Sequence, residues 1–233
     1  MYEFTCVTGY WNVKNKHDNK FIEWFNKTLK INCPYVIFGD KLSIELMKFY
    51  RQDLPSIYIE LDITEFHTYK YKNKMISHPI HCPSIELNLI WNEKIFLIKK
   101  AYEMNPFNSN FFCWVDAGIC IYRDKYPPSK LFPNPRKIIN LPINKFIYSS
   151  SSSYDEKLVR NNNYYHHISG TTYILHKNII PYFTKLYDTY LTKLVDKNNI
   201  WTEQVILTHI YKDNKKLFHK LCSGYGTVFD VLK

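Results

Sequence analysis

Residues 111–122 read Phe-Phe-Cys-Trp-Val-Asp-Ala-Gly-Ile-Cys-Ile-Tyr, an unbroken apolar run that meets Asp116 and then two small residues, Ala117 and Gly118. A short continuous apolar run before a small-residue turn predicts a strand buried on both faces. A carboxylate at the end of such a strand is costly to desolvate unless something pairs with it. The carboxyl ends of strands in open α/β sheets are also where ligands bind. Two uses of Asp116 fit this position. It can hold a divalent cation that carries a phosphate, or it can cap the turn.

Placing Asp116 at a sheet's edge requires the surrounding elements to alternate strand and helix. Phe4 to Gly9 predicts a first strand ending at Thr8-Gly9-Tyr10, and Asp18 is positioned to cap a helix carrying Phe21, Trp24, Phe25, Thr28 and Leu29 at helical spacing. Cys33-Pro34 stops that helix. Tyr35 to Phe38 then predicts a second strand, Ser43 a cap for a helix through Tyr50, and Ile57 to Glu60 a third strand. Strand, helix, strand, helix, strand predicts a parallel sheet with crossover helices. Residues 62–83 read as irregular. Ser84 and Leu87 lead into a long helix over Leu89 to Tyr102, stopped near Asn105-Pro106.

Beyond the Asp116 strand, Pro127, Pro128, Pro133, Pro135 and Pro142 forbid long regular structure. Phe146 to Ser149 predicts a short strand running into the serines 149–153, a loop that is either a lid or plain surface. Ile168 to Leu175 predicts another strand, and Asn178 to Val195 and Trp201 to Tyr211 predict helices, with Thr202 able to cap the second. The expected architecture is α/β: one domain with a Rossmann-type, mostly parallel sheet flanked by helices.

Composition bounds the function classes. The chain has 233 residues, 45% of them hydrophobic and 17% aromatic, which argues for one globular core. The formal charge is +10, from 31 Lys and Arg against 21 Asp and Glu, and it suits an anionic partner. The basic residues are scattered, however, as Lys14, Lys16 and Lys20, then Lys70, Lys72 and Lys74, then Lys212, Lys215, Lys216 and Lys220. No zinc-finger spacing, arginine-rich arm or RNA-recognition signature accompanies them, so a nucleic-acid partner is not expected. The six cysteines form no Cys-x-x-Cys pair, and Cys6, Cys113 and Cys120 lie in apolar runs, which fits a reducing compartment. No run approaches the roughly 18 apolar residues a membrane helix needs, and a soluble, cytoplasmic protein is the expectation.

Several segments in order along the chain carry a resemblance: Thr8-Gly9-Tyr10, Trp91-Asn92-Glu93-Lys94, Asn105-Pro106-Phe107, Trp114-Val115-Asp116-Ala117-Gly118, Ser169-Gly170-Thr171 and Thr202-Glu203-Gln204. Together they resemble the bacterial and viral HtrL/WlaTC-type glycosyltransferases and are more distantly similar to the glycogenin-like transferases of the GT-A fold. The resemblance implies transfer of a sugar from a nucleotide-diphosphate donor, most often a UDP-sugar, to a hydroxyl of a glycan, lipid-linked or protein acceptor, with Mn²⁺ or Mg²⁺. Residues 1–115 would be the nucleotide-binding half and 116–233 the acceptor and catalytic half. Such enzymes usually carry Asp-x-Asp where this chain has Asp116-Ala117-Gly118.

The resemblance also implies roles. Thr8, Gly9 and Tyr10 would form the uridine pocket, with Gly9 admitting the base and Tyr10 stacking on it; a bare strand-end turn is the alternative. Lys94 would reach the diphosphate or sugar hydroxyls as a point charge, or be a solvated helix lysine. Ser169 and Gly170 would let the chain pass close to the donor sugar. Glu203 would be general base or stabilise oxocarbenium charge, and Gln204 would hydrogen-bond the sugar. The helix dipole alone would also favour Glu203 at its position. His219 is the candidate second metal ligand beside Asp116, or an ordinary half-buried histidine. His166 and His167 are acceptor-side or structural. A catalytically silent nucleotide- or sugar-binding relative is the other expectation.

Overall fold

Every strand of the protein feeds two cores at once, because successive side chains point to opposite faces. In the computed structural model, which describes residues 2–17, 20–151, 167–196, 200 and 202–233, the strands are β1 (Phe4–Tyr10), β2 (Tyr35–Gly39), β3 (Ser56–Glu60), β4 (Phe111–Val115), β5 (Phe146–Ser150), β6 (Ile168–His176) and β7 (Phe218–Ser223). The helices are α1 (Lys20–Thr28), α2 (Lys41–Tyr50), α3 (Ile85–Met104), α4 (Pro135–Ile138), α5 (Ile180–Val195), α6 (Glu203–Asp213) and α7 (Val228–Leu232). Val7, Val36, Phe38, Phe112, Trp114, Tyr173 and Leu175 pack with α3, α5 and α6 on one face. Cys6, Tyr35, Ile37, Cys113, Val115 and Ile174 pack with α1, α2 and α7 on the other. Covering both faces explains why the strands read as continuous apolar runs.

The strands form one sheet in the order β3-β2-β1-β4-β6-β5-β7. β1 pairs in parallel with β2 and β4, and β2 with β3. β6 is antiparallel to both β4 and β5, while β5 and β7 are parallel. The mixed, mostly parallel α/β sheet matches the expected fold class. Its strand order reverses between β1 and β4, and that reversal opens a crevice at their carboxyl ends. Because β6 runs the other way, its beginning lies on the same edge: Val115 registers with Thr172, and the Asp116 amide donates to the Thr171 carbonyl at 2.9 Å.

Several boundaries differ from the sequence expectation. Asp40, not Ser43, caps α2: its carboxylate accepts from the Ser43 amide, so Ser43 lies inside the first turn. Residues 62–83 are less irregular than their polarity suggests and hold two 3-10 turns, Ile63–Glu65 and His67–Lys74, the first closed by a capping box from Asp62 and Glu65. Ser84 does cap α3, accepting from Leu87, and Asn105 ends it in the left-handed conformation. β5 runs one residue past the expected strand, through Ser150, and Ser151 is buried. β7 and α7 have no counterpart in the sequence reading. Asp18, Ser152, Ser153, His166 and Trp201 lie outside the described residues. Among the described residues no helix is long and apolar enough to cross a membrane.

Glu93 ties the 3-10 turn to α3. Its buried carboxylate accepts from the His67 and Thr68 amides at 3.0 and 2.9 Å and from the Thr68 hydroxyl at 2.8 Å. Burial outweighs these donors and raises its pKa from 4.5 to about 7. A raised carboxyl pKa means the folded state holds the proton more tightly, so this group's contribution is greatest below the unfolded pKa and is lost as pH rises toward about 7. Urea unfolding of the protein and Glu93→Gln across this range is expected to show a stability difference that changes with pH in that sense. A difference independent of pH would contradict the assignment.

Candidate functional site

A cleft of about 490 Å³ opens where the carboxyl ends of β1 and β4, the start of β6 and the start of α6 converge. α3 contributes Leu87, Ile90, Trp91 and Lys94 to its wall, at the i, i+3, i+4, i+7 spacing that puts side chains on one helix face. Tyr10, Trp11, Phe21 and Trp114 add aromatic surface, and Lys16, His17, His81 and Arg123 also line it.

The floor is an ionic cluster. Lys94 Nζ lies 2.8 Å from Asp116 Oδ1 and 2.6 Å from Glu203 Oε1, and it donates to the Gly170 carbonyl at 3.0 Å. The lysine and Glu203 side chains are 3% and 2% exposed, whereas Asp116 is 26% exposed. Burial by itself would lower the Lys94 pKa, but the two carboxylates together reverse that and raise it. Burial raises the Glu203 pKa, with Lys94 opposing the rise and Asp116 adding to it. We assign Lys94 as charged, because an ammonium held by two carboxylates and a carbonyl keeps its proton.

The two carboxylates differ in what they have left to give. Asp116 Oδ1 also accepts from Trp114 Nε1 at 2.7 Å, but no described residue donates to its Oδ2. Glu203 has both oxygens engaged, Oε1 by Lys94 and Oε2 by the Thr202 hydroxyl at 2.8 Å. Thr202 is also the cap of α6, accepting from the Gln204 amide, so Glu203 occupies the first helical position, where the dipole favours a carboxylate. Gln204 Nε2 donates to the Ile168 carbonyl at 2.7 Å.

The structure brings together most of the residues singled out from sequence. Gly9, Tyr10, Lys94, Asp116, Ala117, Gly118, Gly170, Glu203 and Gln204 all line the cleft. Thr8 and Ser169 do not; both are fully buried, and Ser169 Oγ pairs with Thr171 Oγ1 at 2.9 Å. Gly9 leaves room for a neighbour within the chain, since a Cβ there would lie 2.6 Å from the Trp11 ring. Tyr10 is 7% exposed and stacked on Phe21, so its face is already covered. His167 is a core residue, with Nε2 on the Tyr148 hydroxyl and its amide on Thr208.

His219 is a correction. It is exposed on β7 in register with Ile147 of β5, and β7 stands three strands from β4. That is about 14 Å at normal inter-strand spacing, too far to share an ion with Asp116. Among the described residues no group of three or more His, Cys, Asp or Glu could hold a metal ion. Asp116 Oδ1 is committed to Lys94 and Trp114 and both Glu203 oxygens are engaged, so among the described floor carboxylates only Asp116 Oδ2 is left to meet a ligand.

Sequence reasoning missed Trp11, Lys16, His17, Phe21, His81, Trp91, Arg123 and Tyr225 as cleft residues. Helical spacing from Lys94 would have found Trp91; nothing local marks the others.

The family described as a bacterial protein of unknown function, HtrL_YibB, matches residues 36–233. The chain belongs to that family, and the match spans every cleft element except β1, the segment after it and α1, which carries Phe21. No curated protein matches the chain.

Gly170 makes the cluster possible, because a Cβ there would overlap Glu203 Oε1 and lie 2.9 Å from Gln204 Cγ. Gly170→Ala is expected to displace Glu203 from Lys94 and to cost about 2 kcal/mol of stability, read as a lower urea midpoint at unchanged slope. A variant as stable as the parent would show that the cluster tolerates displacement.

Proposed function

We propose that the cleft binds a nucleotide-diphosphate sugar, with a UDP-sugar the leading candidate, and transfers the sugar to an acceptor hydroxyl. The observation that carries this reading is the buried Asp116–Lys94–Glu203 cluster at the floor of an aromatic-walled cleft, set where an open α/β sheet reverses its strand order. The resemblance of the Trp114–Gly118, Ser169–Thr171 and Thr202–Gln204 segments to glycosyltransferases supplies the donor class.

In this reading the acceptor oxygen bonds to the anomeric carbon while the bond from that carbon to the diphosphate oxygen breaks. The diphosphate leaves with the electron pair, and the acceptor proton passes to a carboxylate. Asp116 Oδ2 suits that role, being the floor carboxylate oxygen that no described residue occupies. Lys94 fixes Asp116 through Oδ1 and balances its charge. Glu203, whose oxygens hold Lys94 and Thr202, acts as a positioning residue. Gln204 presents its amide carbonyl oxygen to a sugar hydroxyl, its nitrogen being spent on Ile168.

A second reading, binding of a nucleotide sugar without transfer, is favoured by the engagement of both Glu203 oxygens. Incubation with a panel of UDP-sugars and assay of free UDP separates the two. Transfer or slow donor hydrolysis is expected to release UDP, and Asp116→Ala to reduce release by about 100-fold or more. Binding without release would support the second reading. Neither binding nor release across the panel would end both.

A further inference from the structure

Arg123 is held like a receptor for an anion. It follows the 3-10 turn Cys120–Tyr122, five residues beyond Gly118. Its guanidinium stacks on Trp24 with the carbon 4.0 Å from the ring centroid, and Nε donates to the Gly118 carbonyl at 3.3 Å. Its own carbonyl is fixed by Lys27 Nζ at 2.7 Å. Stem and plane are thus set, while no described residue accepts from Nη1 or Nη2. These are the atoms of the planar fork that bind phosphate oxygens in pairs. Lys16 lines the same cleft, and no described residue forms an ion pair with it. Arg123 lines that cleft as well, beside Gly118 and Cys120.

The cleft lining therefore carries two kinds of charged group. The buried cluster sets two carboxylates against one ammonium, and Arg123 and Lys16 are cations that no described carboxylate pairs with. Carboxylates and amides suit hydroxyl groups, and a guanidinium fork with an ammonium suits a diphosphate. We propose that Arg123, assisted by Lys16, binds the diphosphate of the ligand directly, so that protein cations neutralise its charge. This rests on the donor class proposed above. A preorganised fork held by Trp24 loses little side-chain freedom on binding, and its contribution falls with added salt, as for any exposed ionic contact.

The test is calorimetric titration of UDP, inorganic pyrophosphate and uridine in excess EDTA, with the parent protein, Arg123→Gln, Arg123→Lys and Lys16→Ala. UDP and pyrophosphate are expected to bind without metal. Arg123→Gln should weaken both by about 10- to 100-fold, Arg123→Lys should recover part of the loss, and uridine affinity should be unchanged. Melting temperatures establish that each variant is folded, and Arg123→Lys and Lys16→Ala carry the test should Arg123→Gln unfold. Binding of UDP only after Mn²⁺ is added, with equal affinity in the arginine variants, overturns the inference. If UDP release from a UDP-sugar persists in that case, the transfer reading survives it. If pyrophosphate binds through Arg123 but no nucleotide sugar binds or reacts, the arginine site stands and the donor reading falls.

Discussion

An ammonium group buried between two carboxylates governs the working edge of this protein. Lys94 reaches from the third turn of α3 to Asp116 at the end of β4 and to Glu203 at the start of α6, and it closes on the Gly170 carbonyl of β6. Desolvating such charges is expensive, and only close partners on every side offset the cost. The four elements must therefore arrive together. A shift of α3 or α6 would leave Lys94 or Glu203 buried without its partner, a loss of roughly 3–5 kcal/mol for pairs of this kind.

That requirement explains features that look incidental one at a time. β6 runs antiparallel to β4, which brings its first residues to the carboxyl edge where Lys94 needs an acceptor. Position 170 is glycine because Glu203 occupies the space a side chain would take. Thr202 serves both α6 and the cluster, capping the helix backbone and holding Glu203 Oε2. One residue before Lys94, Glu93 anchors the His67–Lys74 turn, so that α3 is tied to its surroundings at two successive positions about 100° apart around its axis.

The cluster also sets what the cleft has to offer. Lys94 consumes one oxygen of Asp116 and one of Glu203, leaving Asp116 Oδ2 as the floor oxygen without a donor among the described residues. Asp116 is thereby an acceptor held in place from one side. Arg123, Lys16 and several aromatic side chains line the same cleft.

The sequence by itself determined the strand and helix order through β4, because apolar runs and capping residues are local signals with fixed periods. It marked Asp116, Lys94, Gly170, Glu203 and Gln204 as a set, and the cleft contains all five. It gave no sign of β7 or α7, since β7 is a half-exposed edge strand with little apolar patterning of its own. It also misplaced His219 and Thr8, whose surroundings are set by strands remote in the chain. Only the tertiary structure decided that Lys94 binds Asp116 rather than a ligand, and that Arg123 ends beside Gly118 with its fork open. Such pairings join segments up to 109 residues apart, and no local pattern encodes a distance between side chains that only folding brings together.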